Sequence, residues 1–154
     1  MATNKDEVIK FQVDLKRFAS ALNIGVAAAE EKLALDGLTM LAERTPKDTG
    51  RAAASWDVSL DNPGDSVQPE GSRFSKEAAV MAARQHGLGL AGKLTANPWR
   101  VIWLFDNVPY IIPLEHGHSQ QAPNGMVALT VADLGAEIDG ILEAEARRAF
   151  NAVQ

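Results

Sequence analysis

The stretch that ends at Thr45-Pro46 constrains this chain more than any other. Phe11, Leu15, Phe18 and Leu22 recur at intervals of four, three and four, which is one face of an α-helix. Ala27, Ala34, Leu38 and Leu41 continue such a face, flanked by Leu35 and Ala42, while Glu30, Glu31, Lys32 and Glu43 fall mostly opposite. The spacing predicts a long helix over residues 14–44. Gly25 and Gly37 weaken it by about 1 kcal/mol each and allow a break near Asn23. Pro46 stops it, because the residue before a proline is pushed out of the α region. A chain that opens this way packs its remaining elements against one long rod.

Behind the stop comes a turn, Pro46-Lys47-Asp48-Thr49-Gly50. Asp48 and Thr49 can bond nearby backbone N–H groups, and Gly50 tolerates positive φ. This turn is expected to set the angle between the helix and the strand that follows. Trp56, Val58 and Leu60 alternate with Asp57 and Ser59, the period-two pattern of a strand at 56–60. Residues 61–75 hold two prolines and two glycines and read as a long polar loop. Within it Phe74 has no evident core partner, which makes it a candidate interface anchor that orders on assembly. Ser75 is an N-cap for a helix beginning at Lys76, and Gly87, Gly89 and Gly92 break that helix into a flexible connector. Residues 61–99 therefore read as an insertion carrying one short helix.

Residues 100–116 read as the rest of the sheet. Val101, Trp103 and Phe105 alternate with Ile102 and Leu104, so both faces are apolar, as in a covered central strand. After the turn at Asp106-Asn107-Val108-Pro109, extended structure resumes from Tyr110 to Glu115, with Pro113 confining it to an edge. Val127, Val131, Leu134, Ile138, Leu142 and Ala149 keep helical spacing, which predicts a helix over 124–152 with Pro123 at its entrance. The order of elements defines a single α+β domain: a long N-terminal helix and a C-terminal helix packed on a small antiparallel sheet.

Composition narrows the function. The 154 residues carry a net charge of -5 and no cysteine, which excludes a disulfide scaffold, a thiol nucleophile and the usual zinc fingers. No apolar run is long enough for a membrane span, and the N-terminus lacks the apolar stretch of a signal peptide. Residues 100–154 hold seven acidic and three basic side chains, and no basic cluster exists to grip a phosphate backbone. Glu115, His116 and His118 form the most metal-like cluster, which would suit a metal-dependent hydrolase, but a third histidine lies far away in a different segment. Asp48-Thr49-Gly50 matches the aspartic-protease tripeptide in letters alone, since it lies in a polar turn after a helix. The glycines at 87–92 follow a helix, whereas a dinucleotide fingerprint follows a strand. Trp56 and Trp103 read as core. Trp99, after the Asn97-Pro98 turn, is a candidate interface residue. No catalytic residue, resident metal or cofactor is expected.

One ordered series of motifs is specific. It runs Arg44-Thr45-Pro46-Lys47-Asp48-Thr49-Gly50-Arg51, then Ser55-Trp56, then Asn107-Val108-Pro109-Tyr110, then Leu114-Glu115 through Gly117, Ser119, Gln121, Ala122, Pro123 and Gly125 to Met126-Val127. In this order it resembles the tail-completion or neck proteins of tailed bacteriophages, also termed head–tail joining or minor tail proteins. Ala128 departs from the pattern, where a basic residue is expected in many relatives. The resemblance implies a structural, non-enzymatic virion protein forming a ring, commonly sixfold, at the head-proximal end of the tail. The implied partners are further copies of the chain, a head connector or stopper protein, and a tail tube or tail terminator protein. DNA is implied as passing cargo and no membrane is involved; assembly would occur in the host cytoplasm. Tyr110, Glu115, Gly117, Ser119, Gln121, Pro123 and Met126 are then candidate contact residues. A small cytosolic adaptor of the same fold is the alternative.

Overall fold

The computed structural model describes residues 4–152 and 154, with side chains at residues 7, 10 and from 12 onward. Helix α1 spans Asn4–Arg44, 41 residues without interruption. The Phe11 side chain, assigned above to its apolar face, lies outside the described residues. Gly25 and Gly37 are close-approach positions. A Cβ at Gly37 would lie 2.7 Å from the Leu104 side chain, and one at Gly25 would lie 3.1 Å from the Glu145 carbonyl oxygen. Helix α6, Val127–Asn151, crosses there antiparallel to α1 and makes the largest contact in the molecule. The helix propensity lost at these glycines is exchanged for tight packing.

Pro46 ends α1 as expected, and the exposed carbonyls are met from within. Thr45 returns its backbone N–H and its hydroxyl to the Leu41 oxygen. The Lys76 ammonium donates to the Ala42 and Thr45 oxygens at 3.1 and 2.9 Å, a cationic cap on a helix C-terminus. The Trp56 indole N–H donates to the Thr45 hydroxyl at 2.8 Å, so the buried tryptophan has its polar atom satisfied.

A short helix α2, Arg51–Ser55, leads through Trp56 into β1, Asp57–Leu60. Strand β1 pairs antiparallel with β2, Ile102–Phe105, with Asp57 opposite Phe105 and Leu60 opposite Ile102. Helix α3, Lys76–His86, starts at the Ser75 cap, whose hydroxyl accepts from the Ala78 N–H. The main core joins Leu38, Leu41 and Ala42 of α1 to Ala53, Ala54, Trp56, Ala79, Ala83, Ala122 and Met126. A second cluster joins Ala27 and Ala34 to Leu90 and Leu94. Alanines on facing helices let the backbones approach closely, which explains how so few large side chains make a core. The architecture is α+β, with long terminal helices and a small antiparallel sheet. Among the described residues no helix is long and apolar enough to cross a membrane.

Five expectations are corrected. Helix α6 starts at Val127 with Met126 as its N-cap, so Pro123 lies in the loop before it and not at its entrance. Strand β2 is not covered on both faces: the sheet has two strands, and Trp103 is 42% exposed. Tyr110–Glu115 is not extended. Residues Ile111–Glu115 form helix α5, and Pro113 fits because first-turn N–H groups have no intrahelical partner to lose. The glycine-rich connector contains helix α4, Leu90–Leu94, held by burial of both leucines.

Finally, loop 61–75 is tied to its own domain. Gln68 exchanges hydrogen bonds with the Ser55 hydroxyl, the Ala54 oxygen and the Arg51 guanidinium. Asn107 holds the Gly64 and Ser66 oxygens. Phe74 packs on the main core and its N–H donates to the Thr49 oxygen, so it is no free anchor for a partner.

Candidate functional site

Three of the four segments that carry the sequence motifs meet in one open cleft of about 480 Å³, while Ser55 and Trp56 lie outside its lining. Pro46, Asp48, Thr49, Gly50 and Arg51 form one wall from the α1–α2 turn. Tyr110, the N-cap of α5, Leu114 of α5, and Ser119 and Gln121 of the α5–α6 loop form the other, and Gly71 and Ser72 of loop 61–75 complete the lining. The walls are stapled at a separation of 74 residues in sequence. The Gln121 amide accepts from the Lys47 N–H at 2.8 Å and donates to the Lys47 oxygen at 3.1 Å. This two-way bond mimics a rung of β-ladder and fixes the cleft width. Thr49 shapes the turn, its hydroxyl accepting from the Arg51 N–H at 3.3 Å.

Glu115 works behind the cleft. Its carboxylate accepts from the Met126 and Val127 N–H groups, each at 2.7 Å, and from Ala128 at 3.1 Å. It thus caps the N-terminus of α6 from another helix, where the macrodipole favours a negative charge. Burial alone would raise its pKa, but the three N–H groups, with His116, outweigh burial and hold the carboxyl below its usual range. Gly117 and Gly125 both have positive φ, and they fold the intervening loop back onto this carboxylate.

The structure therefore sorts the candidate residues. Asp48, Tyr110, Ser119 and Gln121 line the cleft, and Tyr110 is an exposed aromatic at its rim. Pro123 is exposed beside Gly117, outside the cleft lining. Met126 is fully buried in the main core and cannot contact a partner. Glu115 is engaged within the chain, so the carboxylate that would complete a zinc site beside His116 and His118 is already occupied. Among the described residues no group of three metal-ligating side chains is gathered. Trp99 is 74% exposed, outside the cleft lining and close in sequence to Trp103, whose indole N–H donates to the Asp61 oxygen. The cleft offers backbone polar groups, hydroxyls, one acid, one guanidinium and a tyrosine ring, which suits the docking of an extended segment of a partner.

Asp106 closes the apolar strand β2, and an acid in that position is its signal in the sequence. One carboxyl oxygen accepts from the Val108 N–H at 2.8 Å, and the other is buried with no hydrogen-bond partner. Burial pushes its pKa up to about 7, against weaker downward pulls from the Val108 N–H and the Arg51 charge. The folded state thus holds a proton that the unfolded chain releases near pH 4. Stability contributed by that proton is present below pH 4 and lost as pH rises towards 7. Asp106→Asn keeps the bond to Val108 and removes the titration. Its stability relative to the parent chain should rise between pH 5 and pH 8 by roughly 2 kcal/mol. Urea midpoints at the two pH values check this, and an unchanged difference would exclude it.

No family model, no curated protein and no solved structure matches the chain. The functional reading rests on the chain's own residues and their geometry.

Proposed function

We propose that this chain is a structural subunit of the head–tail joint of a tailed bacteriophage, forming a closed ring at the head-proximal end of the tail. The reading places it in the virion neck, between a head connector or stopper and a tail tube or terminator, with DNA passing through the ring. One observation carries it. Three of the four segments that resemble tail-completion proteins contribute to a single cleft, through Pro46 to Arg51, Tyr110, and Leu114 with Ser119 and Gln121, and Lys47 and Gln121 are bonded across it. Residues that share one surface in spite of their sequence separation are expected of a docking site. The acidic C-terminal third also suits a channel through which DNA moves without adhering.

Native mass spectrometry with negative-stain imaging tests the reading. The purified chain, alone or with a connector protein of the same phage, should form closed rings of about six copies. Phage lacking the gene should accumulate filled heads and separate tails. A monomer that stays monomeric with connector and tail proteins, or normal particles without the gene, would overturn it.

A further inference from the structure

Helix α1 is longer than the body that supports it. The contacts of Gly25 with Glu145, Gly37 with Leu134, and Arg44 with Thr130 set one antiparallel register between α1 and α6. Continued to Asn151, that register ends α6 about level with Phe18 and Ala19. Residues 4–17 run on beyond it, about 20 Å of helix at 1.5 Å per residue. Among the described residues none before Gly25 is buried. Most helical stability in proteins comes from tertiary packing, and the described residues of this stretch have none within the chain, which leaves its surface open to a partner.

Most described residues of this stretch are exposed, and one stripe of them has a regular spacing. Lys10, Val13, Arg17, Ser20 and Ile24 recur at intervals of three, four, three and four, and all are exposed. Helix α6 carries a seam of the same spacing. Val131, Gly135, Ile138 and Leu142 recur at four, three and four, all exposed, with Val131 63% exposed. A Cβ at Gly135 would meet nothing within 4 Å, so no contact among the described residues accounts for a glycine in the middle of this helix. Asp139 borders the seam, exposed and without an ion pair among the described residues, whereas Asp133, Glu143 and Glu145 are each paired.

We infer that the α6 seam of one copy receives the N-terminal part of α1 from a second copy. The α6 seam has the alternating three-four spacing of knobs-into-holes packing, and on the α1 stripe Val13 and Ile24 are the apolar residues that meet it. Their charges are complementary: Lys10 and Arg17 stand on the α1 face, and Asp139 stands beside the α6 face. The chain cannot satisfy the contact with itself, since α1 runs past the C-terminus of its own α6 and would have to break to fold back. The two patches are unlike, so the contact is heterologous and each copy leaves one seam of each kind for its neighbours. The inference deepens the ring reading and rests on it for the closure of the set.

The absence of cysteine gives a direct test. Val13→Cys and Ile138→Cys proteins of different tag mass are mixed and oxidised, with Thr95→Cys as an exposed control. The mixed Val13–Ile138 disulfide should exceed either homodimer and the control by about tenfold. Arg17→Glu should reduce that yield, and Asp139→Lys in the partner should restore it, with circular dichroism showing helicity retained. Dominant homodimers, or mixed yield no higher than the control, would overturn the contact. Closed rings without the mixed disulfide would sink the contact and leave the ring reading standing. The mixed disulfide in open chains would uphold the contact and sink the ring reading.

Discussion

Glu115→Ala is expected to destabilise the fold by about 3 kcal/mol, since it removes a charged acceptor from three N–H groups at once. Those groups, on Met126, Val127 and Ala128, begin α6, whose packing on α1 is the largest contact in the molecule. The loss should therefore appear as cooperative unfolding at lower urea concentration, not as local fraying. Glu115→Gln retains an oxygen acceptor but not the charge, and should cost about half as much. The pH arm has a definite sign. The folded carboxyl titrates below its usual range, so its stabilisation is present above the ordinary glutamate pKa and lost as pH falls through the lower folded value. The gap between parent and Glu115→Ala should narrow in acid. Equal midpoints for the two proteins at pH 7, or a gap that widens in acid, would show that the cap contributes nothing.

That same residue shows how far the sequence could be read. A glutamate beside two histidines suggests a metal ligand or an exposed contact. Its partners appear only when the 117–125 loop folds back, and no local rule identifies a cap supplied from another helix. Elements with internal signals were legible: α1 from its periodicity and Pro46, α3 from the Ser75 cap, and α6 from its spacing, although it starts at Val127 and not at Pro123. Elements decided by tertiary contact were not. Ile111 and Ile112 favour strands, yet the Asp106 turn and the Val108 and Tyr110 carbonyls bonded by Ile111 and Leu114 wind them into α5. The apolar outer face of β2 suggested a covering layer, and the described residues leave Trp103 partly exposed instead. Phe74 looked unpartnered because its contacts, Gly50 and the main core, lie in distant segments. For the candidate site, the motif series contains residues of both walls of the cleft, Asp48 and Thr49 on one and Ser119 and Gln121 on the other. It could not separate Gln121, which staples the walls, from Met126, which is core.

Gly50→Ala is the companion test, and it probes the turn instead of the cap. Gly50 has φ of 80° and precedes α2 as its N-cap. Alanine disfavours that conformation by about 1–2 kcal/mol. Space is also lacking, since a Cβ there would lie 2.5 Å from the Phe74 carbonyl oxygen and 3.0 Å from the Phe74 Cβ. The contact is with backbone, and the Phe74 N–H is held by the Thr49 oxygen at 2.8 Å, so loop 61–75 cannot simply withdraw. The two effects together should cost about 3 kcal/mol, well above the usual effect of a glycine-to-alanine change at a compatible site. Moving Phe74 also disturbs the core that it covers and the cleft wall formed by Thr49 and Arg51, so stability and partner docking should fall together. Asp48→Ala serves as the control: its side chain is exposed in the same turn, and it should shift the midpoint by under about 0.5 kcal/mol. If Gly50→Ala melts with Asp48→Ala, the turn is not what sets α1 against α2 and the strand beyond it.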